Sequence, residues 1–119
     1  MGGNWQYGCY GNFPCGRFRT GVYDGDGSEL SVIKTIHNGL TIPGKMNPNY
    51  GIAYVPWGGE EHEKKEYEVL MDSSGLRWES VECGNIPLGA IGKKDNVVCN
   101  YKVRFQTTGF STTRGIYLR

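Results

Sequence analysis

An internal repeat constrains this chain more than any other feature. Trp5 and Trp78 stand 73 residues apart. Asn12-Phe13-Pro14-Cys15-Gly16-Arg17-Phe18 precedes Asn85-Ile86-Pro87-Leu88-Gly89-Ala90-Ile91 by the same 73. The shared pattern is Asn-apolar-Pro-x-Gly-x-apolar, and Cys9 and Cys83 agree within one residue. Gly51-Ile52-Ala53-Tyr54-Val55 echoes Gly115-Ile116-Tyr117-Leu118 at a shorter offset of 64. The second copy is therefore compressed, and on this matching it ends before any partner for Glu66-Tyr67-Glu68-Val69-Leu70. Two copies of about 70 residues, neither able to bury its own apolar face, must fold together. The expectation is one domain over residues 1–119, with copy one at about 5–77 and copy two at about 78–119. Two pseudo-symmetric antiparallel sheets, the second truncated, would follow.

The local signals are all-β. Nineteen glycines in 119 residues, with no three-residue period, exclude collagen and mark tight turns between short strands. Leu30–Ile36, Gly51–Trp57, Tyr67–Met71, Leu76–Val81 and Val97–Phe105 read as strands. His37-Asn38-Gly39 reads as a turn, and Ser73-Ser74-Gly75 as a hairpin between the third and fourth of these strands. Glu60–Glu66 has helical propensity but no apolar stripe and follows a Gly-Gly pair. It is expected to be a solvated loop running into a strand.

The net charge of +1 gives no electrostatic argument for nucleic acid. No apolar run approaches the roughly 18 residues of a membrane span. Met1–Trp5 lacks a basic segment followed by an apolar one, so a leaderless or already processed chain is expected. An extracellular role fits, and a cytoplasmic one stays open. Cys9, Cys15, Cys83 and Cys99 allow two disulfides in three pairings, or free buried thiols. Their spacing, with His37 and His62 far apart, fits no zinc pattern. No metal or cofactor is expected.

Three segments carry chemistry. Asp24-Gly25-Asp26-Gly27-Ser28-Glu29-Leu30 is turn chemistry before a strand, and no flanking helices support a calcium loop. Gly39, Gly44 and Lys45 match part of a phosphate-binding loop. Met46, however, stands where a hydroxyl must bind magnesium, and Pro48 and Gly51 forbid the following helix. What remains is a lysine past a Pro-Gly turn. Tyr54-Val55-Pro56-Trp57-Gly58-Gly59-Glu60-Glu61-His62 combines rings with carboxylates. A ring can stack on a pyranose while carboxylates accept its hydroxyls, although Tyr54 and Trp57 read equally as sheet core and rim. Glu60 and Glu61 point to opposite faces if extended, which makes a poor glycosidase pair. No nucleophile elbow or Cys–His pair is present, so no enzyme is expected.

Together these segments resemble the DM-nine repeat family of mannose-binding and natterin-like lectins. The carrying residues are Asn12-x-Pro14-x-Gly16, Asp26-Gly27-x-x-Leu30, His37-Asn38-Gly39-x-x-x-Pro43-Gly44-Lys45, Tyr54-Val55-Pro56-Trp57-Gly58-Gly59-x-Glu61-His62 and Tyr67-Glu68-Val69-Leu70. The resemblance implies calcium-independent recognition of mannose-type glycans, with Asp26 and Lys45 on the sugar. Asp24, Trp57, Glu61, Asp95 and Arg114 are weaker candidates. Copy two lacks the Pro-Gly-Lys, so one good site per chain is expected, and useful avidity then needs a homodimer. The alternatives are a glycan- or membrane-targeting module related to natterin-like pore-forming toxins, and an interaction module that binds no sugar.

Overall fold

The computed structural model describes residues 2–9, 15–81, 89–93, 96–98 and 115–118. It is all-β among these residues. The strands are β1 (Asn4–Cys9), β2 (Ser31–His37), β3 (Leu40–Met46), β4 (Ala53–Trp57), β5 (Glu60–Lys64), β6 (Glu66–Met71), β7 (Trp78–Val81), β8 (Gly92–Lys93), β9 (Asn96–Val97) and β10 (Gly115–Leu118). Six of them form one antiparallel sheet in the order β1-β6-β2-β3-β4-β5, and β10 with β7 and β8 with β9 form two-stranded ribbons. A second sheet matching the first is not among the described residues. Most of the expected Val97–Phe105 strand, from 99 onward, lies outside them.

Two hairpins are set by their turns. Asn38 and Gly39 have φ of 51° and 75°, and Gly58 and Gly59 have 62° and 79°. Positive φ at both central residues is what a two-residue hairpin needs to match strand twist. The registers His37↔Leu40 and Trp57↔Glu60 follow directly. The second turn also corrects the reading of 60–66. Glu60–Lys64 is not a loop but the edge strand β5, paired along its length with β4. Hairpin geometry overrides the helical propensity of Glu and Lys, and charges on an edge strand deter pairing with other chains.

Pro43-Gly44-Lys45 lies inside β3 and is not a turn. β3 pairs with β4 only at Lys45↔Tyr54 and Met46↔Ala53. Pro43 sits past that ladder, where one flank of the strand has no partner among the described residues and a missing N–H is tolerated. Gly44 shows why β4 departs. A Cβ on Gly44 would lie 2.2 Å from the Tyr54 carbonyl oxygen and 2.8 Å from Val55 Cγ1. The β4 backbone therefore crosses against bare backbone, and the β4–β5 hairpin bends over the sheet. In a flat sheet β2 and β5 would be about 14 Å apart, yet the His37 and His62 rings are 4.3 Å apart.

This bend creates the first core. Ile33, Ile42, Met46, Ala53, Val55, Tyr67 and Val69 are buried together with Trp57 at the margin, all from one sheet. The opposite face carries a second cluster of Phe18, Val32, Leu70, Ile91 and Val98, joined by Trp5, Leu76 and Trp78. Here the repeat becomes physical. Gly16 and Gly89 both have positive φ, 94° and 84°. Two residues on, Phe18 and Ile91 enter the same cluster, and Trp5 and Trp78 flank it.

The register also corrects the matching of the repeat. Trp5 stands opposite Leu70, and Trp78 opposite Leu118. Gly115–Leu118 is thus the counterpart of Tyr67–Leu70 in its pairing, not of Gly51–Val55. Copy two keeps a last strand and is shortened in between. Ser73-Ser74-Gly75 does not join a hairpin either, because β6 pairs with β1 and β2 while β7 pairs with β10.

Gly44→Ala should cost about 3 kcal/mol or more, because backbone rather than a pliable side chain blocks the new methyl. Gly25→Ala, with nothing within 4 Å of its added Cβ, should stay within about 0.5 kcal/mol of wild type. Urea denaturation of both variants checks this, and equal midpoints would exclude the close crossing.

Candidate functional site

Two turns meet at the end of β3. In the first, Gly27 N–H donates to the Asp24 carbonyl and Asp24 N–H to the Ser28 carbonyl, each at 2.9 Å. Asp24 Oδ1 accepts from Gly25 N–H and Asp26 Oδ1 from Ser28 N–H, again at 2.9 Å. These are the self-capping bonds that make Asp a turn former. In the second, Tyr50 and Gly51 N–H both donate to the Asn47 carbonyl at 3.1 Å. The Asn47 side chain then bridges the turns. Its Nδ2 lies 3.0 Å from Asp24 Oδ2, and 3.3 and 3.2 Å from Asp26 Oδ1 and Oδ2. Asn49 Nδ2 donates to Asp26 Oδ2 at 3.2 Å and to Ser28 Oγ at 2.6 Å.

Both carboxyls are held below the usual carboxylate range. For Asp24 the largest cause is the Asn47 bond, then the Gly25 N–H, and the Lys45 charge adds a smaller pull. For Asp26 the Ser28 N–H comes first, desolvation opposes it, and the Asn47 and Asn49 amides restore the downward balance. Lys45 stands opposite Tyr54 on the sheet. Its Nζ is 3.2 Å from Glu61 Oε1, with the two side chains 48% and 58% exposed. An ion pair this exposed is worth about 0–1 kcal/mol, so a ligand can replace it cheaply. The site therefore offers ionised acceptors beside one accessible ammonium group.

Residues 24–108 match the DM9 repeat. The chain belongs to the DM9 repeat family. The matched span holds both turns, Lys45 and the edge strand with Glu61. The DM9 repeat is a non-catalytic module. No curated protein matches the chain.

Of the residues singled out in the sequence, this DM9 module brings Asp24, Asp26, Lys45 and Glu61 to one region. Trp57 belongs elsewhere. It shares a face of β4 with Val55 and packs at the margin of the first core, whereas Lys45 faces with Tyr54. Asp95 and Arg114 lie outside the described residues. Cys9 and Cys15 are not bonded to each other, and Cys83 and Cys99 lie outside. No group of three or more metal-ligating side chains occurs among the described residues. Asn47 and Asn49 were missed in the sequence. Their signal was available in Asn47-Pro48-Asn49, two amides directly after the strand that carries the lysine, but it reads first as turn composition.

Glu29 is a buried carboxylate of another kind. Burial alone would raise its carboxyl, yet the Gly21 N–H and the Arg19 and Arg17 guanidinium groups outweigh this and lower it. Arg17 also donates to Ser31 Oγ at 2.6 Å. This network ties the 17–21 segment to the start of β2 and is structural.

Trp57 has a distinct role. Its ring meets His37 edge-on at 5.9 Å, and His62 Nε2 lies 3.1 Å from the Trp57 carbonyl oxygen. His37 ends β2 and His62 is on β5, so the rings latch the bent hairpin to the sheet. Burial, then the Lys64 and His62 charges, hold His37 below the usual imidazole value. Glu60, Lys64 and Tyr67 are the other titratable groups on that face by register. A depressed imidazole contributes stability above its ordinary pKa and loses it as pH falls through the folded value. Protection of the β4 and β5 amides, taken relative to the intrinsic exchange rate at each pH, should therefore fall between pH 7 and pH 5, and His37→Phe should reduce that dependence. Protection that is equally pH-sensitive in both proteins would rule out the latch.

Proposed function

We propose that this DM9 module is a calcium-independent lectin for mannose-type glycans, binding at the Asp24–Asp26 turn and Lys45. A carboxylate accepts hydrogen bonds from neighbouring sugar hydroxyls, and an ammonium group donates to sugar oxygens. The observation that carries the reading is the joining of two fixed, ionised carboxylates to one strand end with an accessible lysine. The amide donors support calcium independence. Asn47 donates its N–H groups to both carboxylates, which engages lone pairs that a bound cation would need.

The hydrogen-bond count shifts the weight between the two aspartates. Asp26 already accepts four contacts, from Ser28 N–H, Asn49 and, at both oxygens, Asn47. A carboxylate has about four lone-pair sites, so Asp26 has little left for a ligand. Asp24 accepts one bond at each oxygen, from Gly25 and Asn47, and it feels the Lys45 charge. Asp24 is therefore the direct sugar acceptor in this reading, with Lys45 as donor, and Asp26 braces the turn. Glu61 holds the ammonium in place until a hydroxyl replaces it.

A single shallow site of this kind binds a monosaccharide at about millimolar strength, near −4 kcal/mol. Effective binding then requires several sites presented together, and a homodimer is the simplest way to supply them.

The test is a multivalent glycan array probed in the presence of a chelator. Binding to high-mannose glycans that free mannose competes away is the expected result. Asp24→Asn or Lys45→Met should each weaken it roughly ten- to hundredfold, the range for a lost hydrogen bond to a charged group. Both variants should keep the wild-type circular dichroism spectrum. Absence of glycan binding by the wild-type chain would refute the lectin reading and favour an interaction module.

A further inference from the structure

We infer that Asn47 is the positioning residue of this site, its one amide clamping the carboxylates of Asp24 and Asp26 into a fixed pair beside Lys45. The inference deepens the sugar-binding reading and rests on it for the ligand.

Asn47 is only 6% exposed, although it follows the last residue of a strand and begins a turn. A polar side chain buried to that degree must be satisfied at every atom or it costs stability. Asn47 meets that demand at both ends. Its Oδ1 accepts from the Asn49 N–H at 2.9 Å. That bond settles which end of the amide is oxygen and leaves the nitrogen facing the carboxylates. The nitrogen carries two hydrogens, and two carboxylates lie within reach, at 3.0 Å and at 3.2 Å.

Few side chains can take this place. Two carboxylates held together repel each other, and the donor edge of an amide between them offsets that repulsion without adding charge. A lysine there would neutralise the acceptors and compete with the ligand. A serine has one proton for two carboxylates. An aspartate would put a third acceptor among acceptors.

The position along the chain matters as well. Lys45 and Asn47 are two residues apart at the end of β3, which in extended chain is about 7 Å. One strand end thus delivers both the ammonium group and the clamp, and it sets the distance between donor and acceptors. The Asn47 bond is also the largest influence lowering the Asp24 carboxyl. Asn49 is a second brace, on Asp26 and Ser28 alone.

The experiment compares wild type, Asn47→Ala and Val69→Ala. Val69 is in the first core, so its variant loses stability without touching either turn. Carboxyl carbons of Asp24 and Asp26 are titrated by NMR, and mannose binding is measured by chemical-shift perturbation. In Asn47→Ala, both carboxyls are expected to titrate closer to the usual carboxylate range and mannose to bind at least tenfold more weakly. Val69→Ala should change neither. Unaltered titration in a folded Asn47→Ala, or an equal change in Val69→Ala, overturns the inference. If Asn47→Ala does not fold, the wild type decides. Its Asn47 side-chain amide protons should be protected from exchange and should shift as Asp24 and Asp26 titrate, and resonances indifferent to that titration overturn it. If wild type binds no mannose, the lectin reading fails while the titration still judges the clamp.

Discussion

The crossing of β4 over Gly44 is the contact on which the rest of the architecture depends. Without a side chain at that position, the Tyr54 carbonyl can pass at a distance no Cβ would allow. The sheet can then bend sharply between β3 and β4. The bend lets a single sheet supply every described residue of the core of Ile33, Ile42, Met46, Val55 and Val69. It also swings β5 toward the end of β2, where the histidine rings meet. On the outer side of the same strand pair it brings Glu61 to Lys45.

The second face shows why the chain needs its repeat. Val32 and Leu70 of the six-stranded sheet are covered by Phe18 and by Ile91, Leu76, Trp78 and Val98, all from beyond the sheet. Each apolar side chain of this size that leaves water contributes about 1.5–3 kcal/mol. Copy one alone would leave much of this face wet. Among the described residues, the second copy supplies cover and the β7–β10 and β8–β9 ribbons. Trp78 also donates through its ring nitrogen to the Thr20 carbonyl at 2.9 Å, which fixes the copies at a polar as well as an apolar contact.

The candidate site depends on both turns and on neither core. Its carboxylates are shaped by bonds that stay within residues 24–28 and 47–49, while its lysine is delivered by the strand that Gly44 bends. Binding chemistry can therefore sit on a rigid scaffold with its charged groups open to solvent, which is the usual arrangement for recognition residues on loops.

Much of this was legible in the sequence. Asn38-Gly39 and Gly58-Gly59 name their turns because positive φ at two successive positions selects such residues. The all-β class and the Trp5/Trp78 and Gly16/Gly89 correspondence came from local chemistry or spacing, while Asp26 and Lys45 were singled out through the resemblance to the DM9 repeat. Other features were decided by tertiary structure. Glu60–Lys64 became a strand because β4 offers it a ladder, which local propensity does not record. Pro-Gly-Lys became a strand interior because β4 leaves the ladder there. Trp57 went to the opposite face from Lys45 because side chains alternate along β4. The pairing of Asn47 with two aspartates more than twenty residues away has no periodicity to announce it. A sequence states what each residue can bond to, and only the bent sheet determines which of those groups meet.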